Sequence, residues 1–330
     1  IEAAEILDTR TIRFRFARPN RELHMIAAQL PVLSKQFYSR HPFNPTDGQG
    51  AMTVPVGSGP YLVAGVQPGK SITYTKNPDY WAKDLAVRKG MFNFDTIVVK
   101  YFKDPVVSIE AFKAGEFDFM MVHIAKQWNR DLTGRRFDSG ELVKQTFPHK
   151  NNAGIQGFAF NTRKPLFSDR LVRQALGLVF DFEWTNKTLF FSQYTRNTSY
   201  FSNSTYAATG LPGADELKLL EPFRNQLPAE VFTQPLVAPS TDPPASLRAN
   251  MQQAKALLEQ AGWTIKDGAL VNGRGERFRF EILLADGSFE RVIAPYVANL
   301  SKMGIEVVYR TIDPALYADR IKNFDFDMAV

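Results

Sequence analysis

Four histidines, at positions 24, 41, 123 and 149, are the first candidates for metal or proton chemistry. None stands at a metal-type spacing from another, and no carboxylate pattern accompanies them, so they offer no ligand set for a zinc-like ion. Cysteine is absent, which removes disulfides, thiolate nucleophiles and Cys-ligated metals. Gly57-Ser58-Gly59-Pro60 is glycine-rich but lacks the spacing of a dinucleotide fingerprint, and no Lys-Ser or Lys-Thr follows at the distance a phosphate loop needs. Ser58, Ser168 and Ser199 lack the G-x-S-x-G elbow of a hydrolase nucleophile. Two acidic pairs, Glu116/Asp118 and Asp325/Asp327, alternate along extended runs, so each pair faces one way. Acid–base hydrolysis is one use of such pairs, and ion pairing with neighbouring Lys or Arg is the other.

Residues 189–204, LFFSQYTRNTSYFSNS, are a different kind of candidate. Phe190, Phe191, Tyr194, Tyr200 and Phe201 are interleaved with Gln193, Arg196, Asn197 and Asn203. The segment is too polar for a core element and too aromatic for a solvated loop. Rings with a few polar groups line ligand clefts, although the same rings could simply pack beneath the long Pro-rich stretch at 203–247. Stacking against single-stranded nucleic acid also uses rings, but only Arg196 supplies charge here.

The elements that position these residues follow from pattern. A chain of 330 residues can hold two domains with substantial cores. Its longest apolar runs fall far short of a membrane span. The net charge of +6 raises a nucleic-acid or anionic-surface partner as an alternative. However, the basic cluster at 10–21 alternates Ile12, Phe14 and Phe16 with Arg13 and Arg15, the period of a half-buried strand. One unit recurs at 95–122, 277–313 and 307–330: strand, Asp turn, helix, Gly or loop, strand. Such alternation predicts mainly parallel sheets with right-handed crossovers, which bind ligands beyond the carboxyl ends of the strands. Between these units the pattern predicts strands at 142–147 and 154–160, and helices at 169–180 (with Ser168 as N-cap) and 182–191. It also places a helix at 250–263 and, at 267–280, a hairpin with Asn-Gly and Gly-rich turn signals. Residues 77–90 read as a turn with two aromatic anchors, Tyr80 and Trp81.

Several motifs, in order, resemble those of a known family. VGSGPYLV with KNPDYW, FDTIVVKYFKDPVVSIEAFKAGEFDF, and FNTRKPLFSDRLVRQALGLVFD look like the signatures of the solute-binding proteins of peptide and nickel ABC importers. LFFSQYTRNTSYFSNSTYAATGLP, ELKLLEPFRNQLPAEVF and NFDFDMAV resemble the YejA-like oligopeptide and microcin C-binding branch. The resemblance implies an α/β fold of the large, peptide-binding class of periplasmic binding proteins, with two lobes of mixed sheet flanked by helices. It implies a chain longer at both ends than this one. It further implies a monomeric periplasmic receptor without cofactor or metal that passes peptides or peptide-like solutes to ABC permease subunits in the inner membrane. On that basis residues 1–55 end a small domain, 56–117 belong to lobe one and 118–330 to lobe two. Asn161, Phe190, Tyr194, Arg196, Tyr200 and Phe201 are the expected substrate-binding residues. For Asn161 an Asx-turn opening N-T-R-K-P is the equal alternative. An extracytoplasmic hydrolase and a basic nucleic-acid-binding protein remain the rival classes.

Overall fold

The alternating IRFR run forms a strand, as its period requires. β1 (Ala3–Ile6) and β2 (Ile12–Arg15) pair antiparallel, and Arg13 and Arg15 both lie against Glu5 across the pair. Two short helices follow, α1 (Leu23–Ala28) and α2 (Lys35–Tyr38). The structure, a computed structural model, describes residues 1–41 and 53–330. Residues 42–52, within the stretch assigned above to the end of a small domain, therefore lie outside the described residues. Among those described, the chain divides into two compact units, Ile1–Asp118 and Phe119–Val330.

The first unit carries β3 (Tyr61–Gln67), β4 (Ser71–Lys76) and β5 (Thr96–Lys100), antiparallel in chain order. The parallel pairing expected of the unit at 95–122 does not arise, since no strand follows its helix to pair with β5, which instead lies antiparallel to β4. Asp104 accepts from the Val106 N–H at 2.7 Å and starts α3 (Pro105–Ala114), which Gly115 closes in the left-handed conformation at φ 83°. The strand expected over 117–122 does not form. Phe117 instead packs with Phe102 and Phe112, at ring-centroid distances of 5.6 and 5.5 Å. Of the two aromatic anchors, Tyr80 is buried but Trp81 is 72% exposed.

The second unit opens with a π-turn over Gln127–Asp131 and with α4 (Arg135–Asp138). No strand forms over 142–147, and the run at 154–160 contributes only β6 (Ala159–Phe160). Next come α5 (Pro165–Ser168) and α6 (Arg170–Leu178). The cap of α6 is Asp169, whose carboxylate accepts from the Leu171 N–H at 2.8 Å. Ser168 cannot serve as expected because it ends α5, where its hydroxyl donates to the Pro165 carbonyl at 2.8 Å. The apolar face of α6, from Leu171 through Val172, Ala175 and Leu176 to Val179, is turned inward: Leu171 is half-buried and the other four are inaccessible. α7 (Phe182–Leu189), α8 (Ala214–Leu220) and α9 (Glu230–Thr233) lead to α10 (Leu247–Gln260), which packs along α6.

The hairpin of β7 (Thr264–Lys266) and β8 (Ala269–Val271) turns on Asp267-Gly268, both at positive φ (52° and 77°), as a type I′ connection needs. Asn272, read as part of the turn signal, holds the next bend by accepting from the Arg274 and Glu276 N–H groups. β9 (Arg279–Leu284), α11 (Glu290–Ser301), β10 (Glu306–Thr311), α12 (Pro314–Lys322) and β11 (Met328–Ala329) then complete two parallel crossovers. The sheet order is β10-β9-β11-β6, with β6 alone antiparallel. Phe278, Ile282, Ile293 and Leu300 fill the layer between this sheet and α6, α10 and α11. Within that layer the Tyr296 hydroxyl donates to the Leu176 carbonyl at 3.0 Å, and burial pushes its phenol far above the ordinary value. Phe158 stacks on the Tyr296 ring at 5.5 Å.

One side chain ties β6 to the last strand. Asn161 is 3% exposed. Its Nδ2 donates to the carbonyls of Phe324 and Phe326, both at 2.9 Å, while its own N–H donates to the Asp327 carbonyl at 2.9 Å. Its Oδ1 accepts from the Arg163 N–H at 3.2 Å, which is the Asx-turn. Arg163 then stacks on Phe324, 3.5 Å from the ring centroid, and Phe324 sits at φ 54°.

Two substitutions test this description by urea unfolding of the full-length protein. Asn161→Ala leaves one buried and one half-buried carbonyl without donors and is expected to destabilise by about 1–3 kcal/mol. Gly304→Ala places a methyl at φ +76° and within 2.7 Å of the Leu270 nitrogen; a loss of more than about 1 kcal/mol is expected. An unchanged midpoint in either variant contradicts the corresponding contact.

Candidate functional site

The mixed sheet has two distinct edges. β9, β10 and β11 run parallel and end at Leu284, Thr311 and Ala329. β6 runs against them, so its start at Ala159 shares their carboxyl edge and its end at Phe160 faces their beginnings. Asn161 therefore lies at the edge opposite the one where open sheets receive ligands. Both of its amide hydrogens are committed to the chain itself, so the expected amide contact with a solute has no free donor here.

The aromatic segment is tied to the other edge. The Ala153 N–H donates to the Ser202 carbonyl at 2.9 Å. Asn203, at φ 64°, donates through Nδ2 to the carbonyls of His149 and Asn151, both at 2.9 Å. These bonds dock residues 197–203 on the approach to β6. Tyr200 and Phe201 sit on this docked stretch, with Tyr200 74% exposed. The Ser199 hydroxyl accepts from the Phe201 N–H at 3.1 Å and holds the turn.

Phe190 and Tyr194 meet edge to face with centroids 4.7 Å apart. Asn186 clamps Tyr194 by its backbone, accepting from its N–H at 3.1 Å and donating to its carbonyl at 2.8 Å. The Tyr194 hydroxyl donates to the His123 carbonyl at 3.3 Å, and the ring remains 43% exposed. Between the two rings, Phe191 and Ser192 adopt φ 57° and 58°. Left-handed backbone at a bulky residue is strained and persists only where its surroundings fix it. Arg130 covers the Phe191 ring at 5.1 Å.

Arg196 lies against Phe180 and Phe182, its guanidinium carbon 5.3 and 5.2 Å from the two ring centroids. Its Nη1 is the only fully buried side-chain polar atom without a hydrogen-bond partner among the described residues. Glu183 is near enough to act on its charge, but Glu183 Oε2 already accepts from the Thr241 N–H and hydroxyl at 3.1 and 2.9 Å. Burial pulls the Arg196 guanidinium below its ordinary value, and the Glu183 charge opposes that pull. At Glu183 burial pushes the carboxyl up, yet hydrogen bonds from its own backbone and from Thr241 prevail and leave it below the usual range. Glu183 thus stays ionised beside the stacked guanidinium.

The structure accordingly joins Phe190 to Tyr194, sets Arg196 on two rings, leaves Tyr200 and Phe201 open, and removes Asn161 to the far edge. Sequence reasoning missed Phe180, Phe182, Asn186 and Arg130. The alternation in Val-Phe-Asp-Phe-Glu was the available signal for the two Phe residues, since alternate residues flanking an N-cap project alike. Among the described residues no cluster of three or more His, Asp or Glu could hold a metal, and no helix is long and apolar enough to cross a membrane. Three of the four carboxylates considered for hydrolysis are engaged: Glu116 with Lys100 at 3.6 Å, Asp325 with Arg320 at 3.0 Å, and Asp327 with the Glu281 N–H at 3.0 Å.

Comparison with known proteins supplies the family. The family model described as bacterial extracellular solute-binding proteins, family 5 Middle, matches residues 1–330. A putative binding protein of Brucella melitensis is 40% identical over 322 residues, covering 97% of this chain and 52% of that protein. The probable peptide-binding protein YejA of Agrobacterium fabrum is 37% identical over 340 residues, covering 100% and 55%. The chain thus spans about half the length of the curated relatives it matches. Among solved structures, the oligopeptide-binding protein AppA of Bacillus subtilis with a nonapeptide aligns at TM-score 0.63 and 19% identity, covering 100% of this chain and 57% of AppA. NikZ of Campylobacter jejuni with Ni(L-His) aligns at TM-score 0.62 and 18% identity, covering 99% and 55%. These likenesses give the fold, the α/β architecture of the large, peptide-binding class of periplasmic binding proteins. With the family model matched from the first residue to the last, the chain belongs to the bacterial extracellular solute-binding proteins of family 5.

Proposed function

We propose that the full-length protein is the periplasmic receptor of an ABC importer, capturing peptides or peptide-like solutes in a cleft between two lobes and delivering them to permease subunits as a monomer. Family membership carries this reading. A relative named as a probable peptide-binding protein narrows the solute class. In this reading residues 1–55 end a small domain, 56–117 belong to lobe one and 118–330 to lobe two. The compact units meeting at Asp118 and Phe119 support the division between the lobes.

Recognition needs no covalent step. An extended solute is held by backbone hydrogen bonds, with side chains in roomy, partly wet pockets. Closure of the lobes follows from contacts made only in the closed state, which shift the equilibrium toward it. Within the chain the docked aromatic segment is the proposed wall, with Phe190, Tyr194, Tyr200 and Phe201 presenting ring faces. The unmet Nη1 of Arg196 offers a charged donor that a solute carboxylate satisfies once the guanidinium swings off its rings. Asn161 acts through the sheet, as the residue that fixes β6.

Two measurements test the proposal. Native mass spectrometry of the full-length protein, set beside its denatured mass, is expected to show a retained solute of a few hundred daltons that fragmentation identifies as peptide-like; a retained solute of another class overturns the peptide reading. Replacing Tyr194 and Arg196 together by Ala is expected to weaken binding of a defined peptide pool by about tenfold or more, with the thermal midpoint kept. Unchanged affinity removes these residues from the site.

A further inference from the structure

A groove separate from the aromatic segment lies where α10 and the β7–β8 hairpin meet the end of α11. It encloses about 450 Å³, within the range of small-ligand pockets. Met251, Ile265 and Met303 form part of its apolar lining, with Ile265 48% exposed and Met303 buried. Arg248, Lys255 and Lys302 stand around it, all three exposed, and no carboxylate lines it. Their charges are loosely held. Lys255 reaches Glu259 only at 3.8 Å, Lys302 donates to the neutral Asn299 Oδ1 at 3.3 Å, and Arg248 makes no ion pair among the described residues.

We propose that this groove binds a single-chain anionic amphiphile, its chain against Met251, Ile265 and Met303 and its headgroup among Arg248, Lys255 and Lys302. The complementarity is twofold. An inorganic anion alone would leave the apolar lining wet, and a neutral chain would leave Arg248 and Lys302 without a counter-charge. Methionines adapt to chains of varying shape at little cost. Lys255 and Lys302 can lay their methylene stems on the bound chain while their ammonium groups stay in water. The chemistry selects an anionic oxygen headgroup, whether carboxylate or phosphate.

The test uses the full-length protein with sodium dodecanoate, dodecyl phosphate and dodecyltrimethylammonium, each below its micelle concentration, with stoichiometry read by native mass spectrometry and affinity by titration calorimetry. One anionic amphiphile per protein is expected, at least tenfold tighter than the cation; which anion binds more tightly names the headgroup. Arg248→Glu with Lys255→Glu is expected to reverse the charge preference. Met251→Trp, which fills the groove, is expected to lower anion affinity at least tenfold while leaving the thermal midpoint and peptide binding unchanged. Absence of binding, equal affinity for both charges, retention of affinity by both variants, or displacement of the amphiphile by a peptide pool overturns the proposal.

Discussion

The primary amide of Asn161 joins parts of the chain that lie 163 and 165 residues apart in sequence. Its two hydrogens hold the turn before the final strand, and its oxygen holds the turn after β6. β6 and β11 share only two ladder positions, few for an antiparallel pair against the entropy of closing so long a loop. With the amide in place, the direction of β6 is fixed, and so is the edge from which the chain enters it. Residues 149–154 approach from that edge, and the aromatic segment is bonded to them. The location of the rings at the carboxyl edge thus depends on a polar side chain at the other edge. An alanine there would leave every ring intact and still loosen the frame that places them.

The chemistry at that edge is mostly neutral. Rings, amides and hydroxyls dominate the segment, and the one cation within it lies against Phe180 and Phe182 rather than in a salt bridge. A buried donor without an acceptor costs about 1–3 kcal/mol, so the stacked position of Arg196 is not a deep minimum. Glu183 lowers that cost through its field, but Thr241 occupies its oxygen. The left-handed pair Phe191 and Ser192 adds local strain to the same segment. Unsatisfied and strained groups concentrated in one exposed aromatic stretch mark it off from the satisfied interior around Tyr296.

Much of this architecture was legible in the sequence because local signals and tertiary demands agree. The α6 face, the two parallel crossovers after β9 and the amphipathic α10 all follow from apolar period and turn residues. The disagreements have identifiable causes. Ser168 and Asp169 are both good caps, and only the separate turn begun by Pro165 decides between them. Extended apolar runs at 117–122 and 142–147 declare a half-buried segment, but a strand also requires a neighbour with free backbone, and sequence alone does not reveal that neighbour. Trp81 reads as an anchor by residue type, yet Tyr80 takes the interior position. For the site, the ring-rich segment was visible, whereas its clamps were not: the bonds from Asn186, Asn203 and Asn161 depend on distant backbone that no short window contains.

Among the described residues, five helical segments begin at an aspartate: Asp104, Asp169, Asp181, Asp286 and Asp313 each accept from the first turn they precede. A bare helix start attracts phosphate or carboxylate through its free N–H groups. Here each of these starts already holds a resident negative charge, so an arriving anion meets repulsion there instead of a cradle. Two of the five, Asp286 and Asp313, follow the parallel strands β9 and β10 directly. A negatively charged ligand is thereby turned away from these five helix starts, and the uncapped hydrogen-bonding groups of the neighbouring loops are left as the sites that can receive one.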